Sequence, residues 1–435
     1  MTGLAVRYNC TRLCPTLSTP LPPLRSERAL IFIIGAIQFV NVLDFMMVMP
    51  LGPDFAAALD IDTSHIGLVG GSYTAAAAAA GVVGSVYLDR FDRRIALACT
   101  MVGLVVGTIA GGFALGLPTL LAARVVAGAF GGPATSLSLA VIADAVPPER
   151  RGKALGAVMG AFSIASILGV PAGLELARLW GFRAPFFAVG ALGAVVTAIA
   201  IGFMPPMRAH LDRVKDTTQA PATSPLAMLN PLSKLSLLNT GFIMLGVFAV
   251  VPNISAFLQH NLGYPRDKIG LLYLVGGLFS FVTLRLAGWA TDRLGATRVV
   301  IVGTALHAAA LLGMFVYAAP WLPLVAIFSL FMMSGSVRMV PLQALASRVP
   351  HPQERARFMS AQSVVQHLAA ALGAIAASAV LTADADGHLS HMDHVALAAL
   401  VLALFVPLFS QRLERGLAAR DRAQREAQIP AIQAA

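Results

Sequence analysis

Residues 85–94 read SVYLDRFDRR, and residues 288–298 read GWATDRLGATR. The Asp89-Arg90 pair of the first stretch returns in the second as Asp292-Arg293, 203 positions later. A second pair of polar segments keeps that offset, VPPERRGKALGA from Val146 and VPHPQERARFMSA from Val349. Two separate loops sharing one spacing indicate a duplicated unit. Around them lie apolar stretches of about 18 to 25 residues, each long enough to cross ~30 Å of hydrocarbon as a helix. Twelve are read, over 29–50, 66–87, 95–116, 120–143, 154–176, 184–205, 236–259, 269–290, 299–318, 321–347, 358–381 and 394–410.

Composition agrees. Of 435 residues 57% are hydrophobic and 12% charged, about half the charged share of a soluble domain, and mean hydropathy is +0.77. The stretches are too long and too seldom alternating for barrel strands. The expected class is an all-α integral membrane protein with twelve transmembrane helices. Its net charge of +10 does not point to nucleic acid, because 24 of the 31 basic residues fall in the tails and alternate loops on one side. Only Arg178, Arg183, Arg266 and Lys268 fall on the other side. This positive-inside asymmetry places both termini in the cytoplasm. Residues 1–27 lack an apolar core with a small-residue cleavage site, so the first span is expected to serve as the insertion signal. Cys10, Cys14 and Cys99 form no disulfide framework.

The longest polar interruption, at 208–234, divides the spans six and six. The expected plan is a cytoplasmic tail over 1–27, a six-helix bundle over 28–205 and a linker over 206–235. A second bundle follows over 236–411, then a basic tail over 412–435. Six spans per copy keep the copies in one orientation, with a pseudo-two-fold axis along the membrane normal. Transporters built as parallel repeats bind substrate at the midplane between halves that rock.

The loop residues Ser85, Asp89, Arg90, Asp92, Arg93 and Arg94 resemble the loop 2–3 signature of the major facilitator superfamily. Ser85 and Asp92 stand where that family has glycines. The second copy keeps both glycines, Gly288 and Gly295, with Arg298 alone for the basic pair. LLAARVVAGAFGG at 120–132, with Arg124 and Gly128, is similar to the span-4 pattern of the drug:proton antiporter and sugar-efflux branch. ILGVPAGLELARLWGFRAPFF at 167–187 is similar to the antiporter span-5 signature, departing from its strict Gly-Pro form at Gly169-Val170-Pro171. LDFMMVMPLGPDF at 43–55 resembles the first span of arabinose-efflux-like permeases. The resemblance implies the major facilitator fold, two pseudo-symmetric six-helix bundles, and efflux rather than uptake.

Asp44 has no charged neighbour between Arg28 and Asp54, and an isolated acid in an apolar run is costly and rarely accidental. At 1.5 Å per residue Asp44 and Arg124 sit at similar depth in the outer half of the bilayer. In the resembled fold spans 1 and 4 both line the cavity, so the two can face each other. We read Asp44 as the proton-coupling site modulated by Arg124: the cation favours the charged carboxylate, occlusion the protonated one. The alternative is a static ion pair.

Gln38, Asn41 and Asp44 recur at three-residue steps on one side of span 1. Gln362, Gln366 and His367 fall on roughly one face of span 11. With Arg338 of span 10, whose alternative is to reach lipid headgroups, Gln38, Asn41 and these three form the candidate substrate cavity. Asp89, Arg90, Arg93, Arg94 and Asp144, with Asp292, Arg293 and Arg298 in the second copy, form a candidate conformational gate, or merely set topology. His307 and His367 could titrate near neutral pH, but a lone intramembrane histidine is more often a hydrogen-bonded packing residue. The outer loop DADGHLSHMDH, with His388, His391 and His394, is read as solvated, with no metal site assigned.

No HExxH, GxSxG or Walker loop appears, which argues against an enzyme or ATP-driven pump. The expected function is a secondary active transporter in the inner membrane: a monomer exchanging protons for a small organic compound, with no cofactor. Alternatives are a sugar exporter, a facilitative uniporter and a non-transporting receptor.

Overall fold

The computed structural model describes residues 24–207, 230–317, 323–350 and 355–433. Cys10, Cys14 and most of the linker lie outside them. Among the described residues twelve helices are long and apolar enough to cross a membrane. Spans 1 to 6 are Glu27–Val48, Thr63–Gly84, Arg93–Gly112, Leu117–Ala145, Arg150–Trp180 and Arg183–Phe203. Spans 7 to 12 are Pro231–Asn261, Arg266–Leu294, Ala296–Val316, Leu324–Arg348, Phe358–Val380 and Met392–Ala423. A short helix, Gly52–Leu59, links spans 1 and 2, and a hairpin of two-residue strands, Thr382–Ala383 and Leu389–Ser390, links spans 11 and 12.

Several helices outrun their apolar stretches because capping residues, not hydropathy, set where they begin. Asp92 accepts from the Arg94 amide at the start of span 3 at 3.0 Å, and Asn230 accepts from the Ser233 amide at the start of span 7 at 2.7 Å. Pro118, Pro148 and Pro231 occupy first-turn positions, where no amide donor is needed. Span 5 carries a π-helical turn, Ala165–Gly169, immediately before Pro171, which has no amide hydrogen to give. The last helix runs unbroken from Met392 to Gln433 and so takes in most of the basic tail.

That extension clamps its own half. Leu413 and Leu417 are buried against Leu345, Val349 and Phe358. Glu414 accepts from the amides of Ala296 and Thr297, at 3.2 and 3.1 Å, capping the start of span 9. Arg420 donates to the carbonyls of Arg348 and Val349, at 2.7 and 2.8 Å, at the end of span 10. Acid meets a helix N-terminus and base a C-terminus, the favourable sense of the helix dipole.

The halves pack through spans 2 and 11 and spans 5 and 8. Gly71 of span 2 stands where an added Cβ would lie 3.3 Å from Ala374 of span 11, and one on Gly277 of span 8 would lie 3.4 Å from the Ser166 carbonyl of span 5.

Candidate functional site

Span 1 supplies Asp44, span 3 Thr108 and span 4 Arg124, and all three are buried. The Arg124 Nη1 donates to both Asp44 carboxylate oxygens at 3.1 Å, while its Nη2 donates to the Asp44 backbone carbonyl at 3.4 Å. The Thr108 hydroxyl donates to Asp44 Oδ1 at 2.7 Å. Below the guanidinium lies the Tyr73 ring of span 2, 4.6 Å from centroid to Cζ. The Tyr73 hydroxyl donates to Asn41 Oδ1 at 3.0 Å, and Asn41 donates to the Gly131 carbonyl at 2.9 Å and to Thr135 at 2.7 Å. One polar network thus ties spans 1 to 4 around a single ion pair.

Glycine makes this possible. A Cβ on Gly107 would lie 2.5 Å from the Ala127 amide nitrogen, and one on Gly128 would meet the Tyr73 carbonyl. Spans 2, 3 and 4 therefore approach at backbone contact, as small residues permit in membranes.

At 3.1 Å the Coulomb attraction is about 5 kcal/mol for an effective dielectric of 20, set against several kcal/mol of desolvation per ion. The pair is close to balance, so loss of one charge reweights every arrangement that contains it.

Gln38, Asn41 and Asp44 do share one side of span 1, and that side is buried, with Asn41 and Asp44 bonded to spans 3 and 4 inside the first bundle. The Gln38 Oε1 has no partner among the described residues. In the second half Gln362 is buried and donates to Gln343 at 3.4 Å, while Gln366 and His367 are half-buried. Arg338 is 3% exposed and makes no ion pair among the described residues.

At the basic face Arg93 pairs with Asp144 at 3.4 Å, and Arg94 donates to the Ile201 carbonyl. Both contacts lie within the first half. Asp292, Arg293 and Arg298 are exposed, Arg293 lying over the Trp289 ring at 4.7 Å. The Arg90 side chain is also exposed, and that of Asp89 lies outside the described residues.

At the opposite face the halves are joined by charge. Arg266 of span 8 forms a fork on Asp54 of the short helix, 2.9 and 3.0 Å, and also donates to the Leu174 carbonyl at 3.1 Å. Thr63 donates to the Gly387 carbonyl at 3.2 Å. Burial holds the Asp54 carboxyl above its ordinary range, against the opposing hydrogen bond and charge of Arg266. Sequence reasoning missed this latch, because two loop charges 212 positions apart look like ordinary solvated ones.

In the hairpin, Asp384, Asp386 and His388 hold ligand-type atoms within 4.8 Å of one another. Asp384 Oδ1 already accepts from the Asp386 and His388 amides, at 3.1 and 2.8 Å, which shapes the turn.

The profile of the Major Facilitator Superfamily matches residues 34–238 and again 236–434. The tetracycline resistance protein, class C, of Escherichia coli is 24% identical over 378 residues, covering 83% of this chain and 92% of that one. The chloramphenicol resistance protein of Streptomyces lividans is 26% identical over 274 residues, 59% of this chain. There the chain spans just under two thirds of its relative's length, 65%. Among solved structures, a bacterial homolog of the human lysosomal transporter Spinster, inward-facing and unoccupied, superposes with a TM-score of 0.68. It is 16% identical and covers 91% of this chain and 99% of that one.

Proposed function

This chain belongs to the Major Facilitator Superfamily, and on that premise we propose that it is a proton-coupled efflux antiporter for a small organic compound. It works as a monomer by alternating access in the cell inner membrane, with its basic face and both termini in the cytoplasm, and it takes no cofactor. The drug-resistance relatives support export. The latch of Asp54 and Arg266 then holds the outer side closed.

The observation that carries the coupling is the buried pair of Asp44 and Arg124. A proton on Asp44 removes the charge that Arg124 faces, leaving the guanidinium with the Asp44 carbonyl and the Tyr73 ring. An arrangement that rehydrates Arg124 then becomes the lower in free energy, and loss of the proton reverses the preference. Gln38, Asn41, Arg338, Gln362, Gln366 and His367 supply polar contacts on the substrate path. Asp89, Arg90, Arg93, Arg94 and Asp144, with Asp292, Arg293 and Arg298, act as the inner gate, re-pairing as the halves rock.

Everted membrane vesicles test this. A respiration-driven pH gradient, reported by a fluorescent weak base, is challenged with cationic drugs, neutral drugs, organic anions and sugars. A compound that collapses the gradient in wild type but not in Asp44→Asn supports antiport. Collapse by sugars alone moves the reading to sugar export. Specific binding with no gradient response in folded protein overturns antiport in favour of uniport or a receptor.

A further inference from the structure

The second half contains a buried cation with no counter-charge among the described residues. Arg338 lies 14 residues into span 10, about 21 Å from that helix's start at Leu324, well within the hydrocarbon. It is 3% exposed, and its Nε is buried without a hydrogen-bond partner among the described residues. Among the described residues of the second half no acid lies at that depth. Between residues 231 and 410 the acids are Asp267, Asp292, Asp384, Asp386 and Asp393, all at helix ends or in loops, and Glu354, which lies outside the described residues. In the first half Asp44 is already engaged by Arg124.

The surroundings of Arg338 are built rather than incidental. Gly303 of span 9 makes room for its stem, since a Cβ there would lie 2.9 Å from Arg338 Cγ. One turn along each helix, His307 and Ser334 are bonded at 3.0 Å. The single Ser334 hydroxyl hydrogen goes to the Phe331 carbonyl at 2.7 Å, so Nδ1–H of His307 is the donor to Ser334. Ser336 and Ser280 are bonded across spans 10 and 8 at 2.7 Å. These neighbours are polar and bond to one another or to backbone, and none accepts a hydrogen bond from Arg338 among the described residues.

A buried guanidinium presents five donors in a fork matched to a carboxylate, and leaving it unpaired in low dielectric costs several kcal/mol. Arg124 shows how this chain satisfies such a group, with a carboxylate held against it. We propose that Arg338 is the binding site for a carboxylate supplied by the transported compound, which makes the substrate an organic anion. Gly303 gives the Arg338 stem room, and the bonded pairs His307–Ser334 and Ser280–Ser336 lie on the neighbouring turns. This rests on the efflux reading and narrows it to a substrate class.

The test reads binding without flux, on purified full-length protein in lipid nanodiscs in a carboxylate-free, low-chloride buffer with methanesulfonate as the only buffer anion. Benzoate, its neutral isostere benzamide, and chloride are titrated against thermal unfolding. The expected result is saturable stabilisation by benzoate and none by benzamide. Arg338→Gln should weaken benzoate binding at least about 10-fold, the loss of one charge-assisted interaction. Arg338→Lys, which keeps the charge and loses the fork, should fall between. Chloride reproducing the whole benzoate effect and competing with it would assign the site to a free anion and overturn the substrate reading. Equal responses to benzoate and benzamide in wild type overturn the site even if Arg338→Gln does not fold. Failure here leaves a positive vesicle result standing, and a silent vesicle assay leaves binding intact, so the two readings fail separately.

Discussion

Arg124→Gln removes the counter-charge from a carboxylate with 0% exposure, and the consequence can be worked from the geometry. The Coulomb term at 3.1 Å is about 5 kcal/mol at an effective dielectric of 20, and one-sided removal from buried pairs costs about 3–5 kcal/mol. For a folding unit the size of one bundle, each kcal/mol corresponds to about 2–4 °C. Arg124→Gln is therefore expected to lower Tm by about 6–20 °C at neutral pH. Asp44→Asn costs less, because the guanidinium keeps the Asp44 carbonyl at 3.4 Å and the Tyr73 face at 4.6 Å. The double variant carries neither charge and should recover up to about 3 kcal/mol relative to the sum of the singles. Thermal unfolding in nanodiscs supplies the stability cycle, and the vesicle gradient assay supplies coupling on the same four proteins. Stability should return in the double variant while coupling does not. Additive destabilisation would refute the pair as an energetic unit. Restored gradient-driven transport in the double variant would refute Asp44 as the proton site and leave the pair as a brace.

Three further outcomes follow from the contacts. The raised Asp54 carboxyl means the latched face binds a proton more readily than the open one; closure is favoured at pH below the ordinary carboxylate range, and that contribution is lost as pH rises through the raised value. Spin-label distances across this face between about pH 4 and pH 7 should lengthen toward the higher pH; Asp54→Asn should stay closed and Arg266→Ala should open, and opening on acidification would contradict the sign. Gly128→Ala forces a Cβ against the Tyr73 carbonyl and should cost about 1–3 kcal/mol, whereas Gly160→Ala, with nothing within 4 Å, should be neutral or stabilising by up to about 1 kcal/mol; equal Tm values for the two would refute the packing argument. Glu414→Ala removes an N-cap supplied from another helix and should cost about 0.5–2 kcal/mol, read as faster amide exchange at Ala296 and Thr297.

What was legible in the sequence was what burial makes expensive. A lone Asp44 in an apolar run and a lone Arg124 at matching depth announce themselves because each is costly alone. The twelve spans are legible because hydrocarbon thickness sets one length scale. Thr108, whose hydroxyl lies 2.7 Å from Asp44 Oδ1, was not legible, since a threonine inside a membrane helix costs nothing when its single hydroxyl hydrogen goes to its own backbone, and the Leu104 carbonyl is also within reach at 2.8 Å. Asp54 and Arg266 were hidden for the reverse reason: charges in loops are cheap, so only the folded chain shows that these two are mutually partnered. The role of Glu414 was hidden by hydropathy, which ends span 12 where apolar residues end, although the helix continues to Gln433.

The duplication itself separates scaffold from chemistry. In the first copy Asp92, standing where the motif has glycine, caps span 3 with its own side chain and also accepts from the Met207 amide at 3.1 Å. In the second copy the glycine is kept as Gly295, with φ +87°, which gives the turn but no cap. Glu414 supplies that cap from span 12. The scaffold need is thus met twice by different residues. The buried charges are not repeated: at the 203-residue offset Asp44 corresponds to Val247 and Arg124 to Ile327, while Arg338 corresponds to Thr135. A duplicated bundle that needed an ion pair only to hold its helices together would be expected to keep it in both copies. Among the described residues the second bundle packs without a buried ion pair, so the pair is not what the architecture requires. Its cost is better accounted for by work that one half performs and the other does not, with the first half holding a self-neutralising pair and the second an unmatched cation.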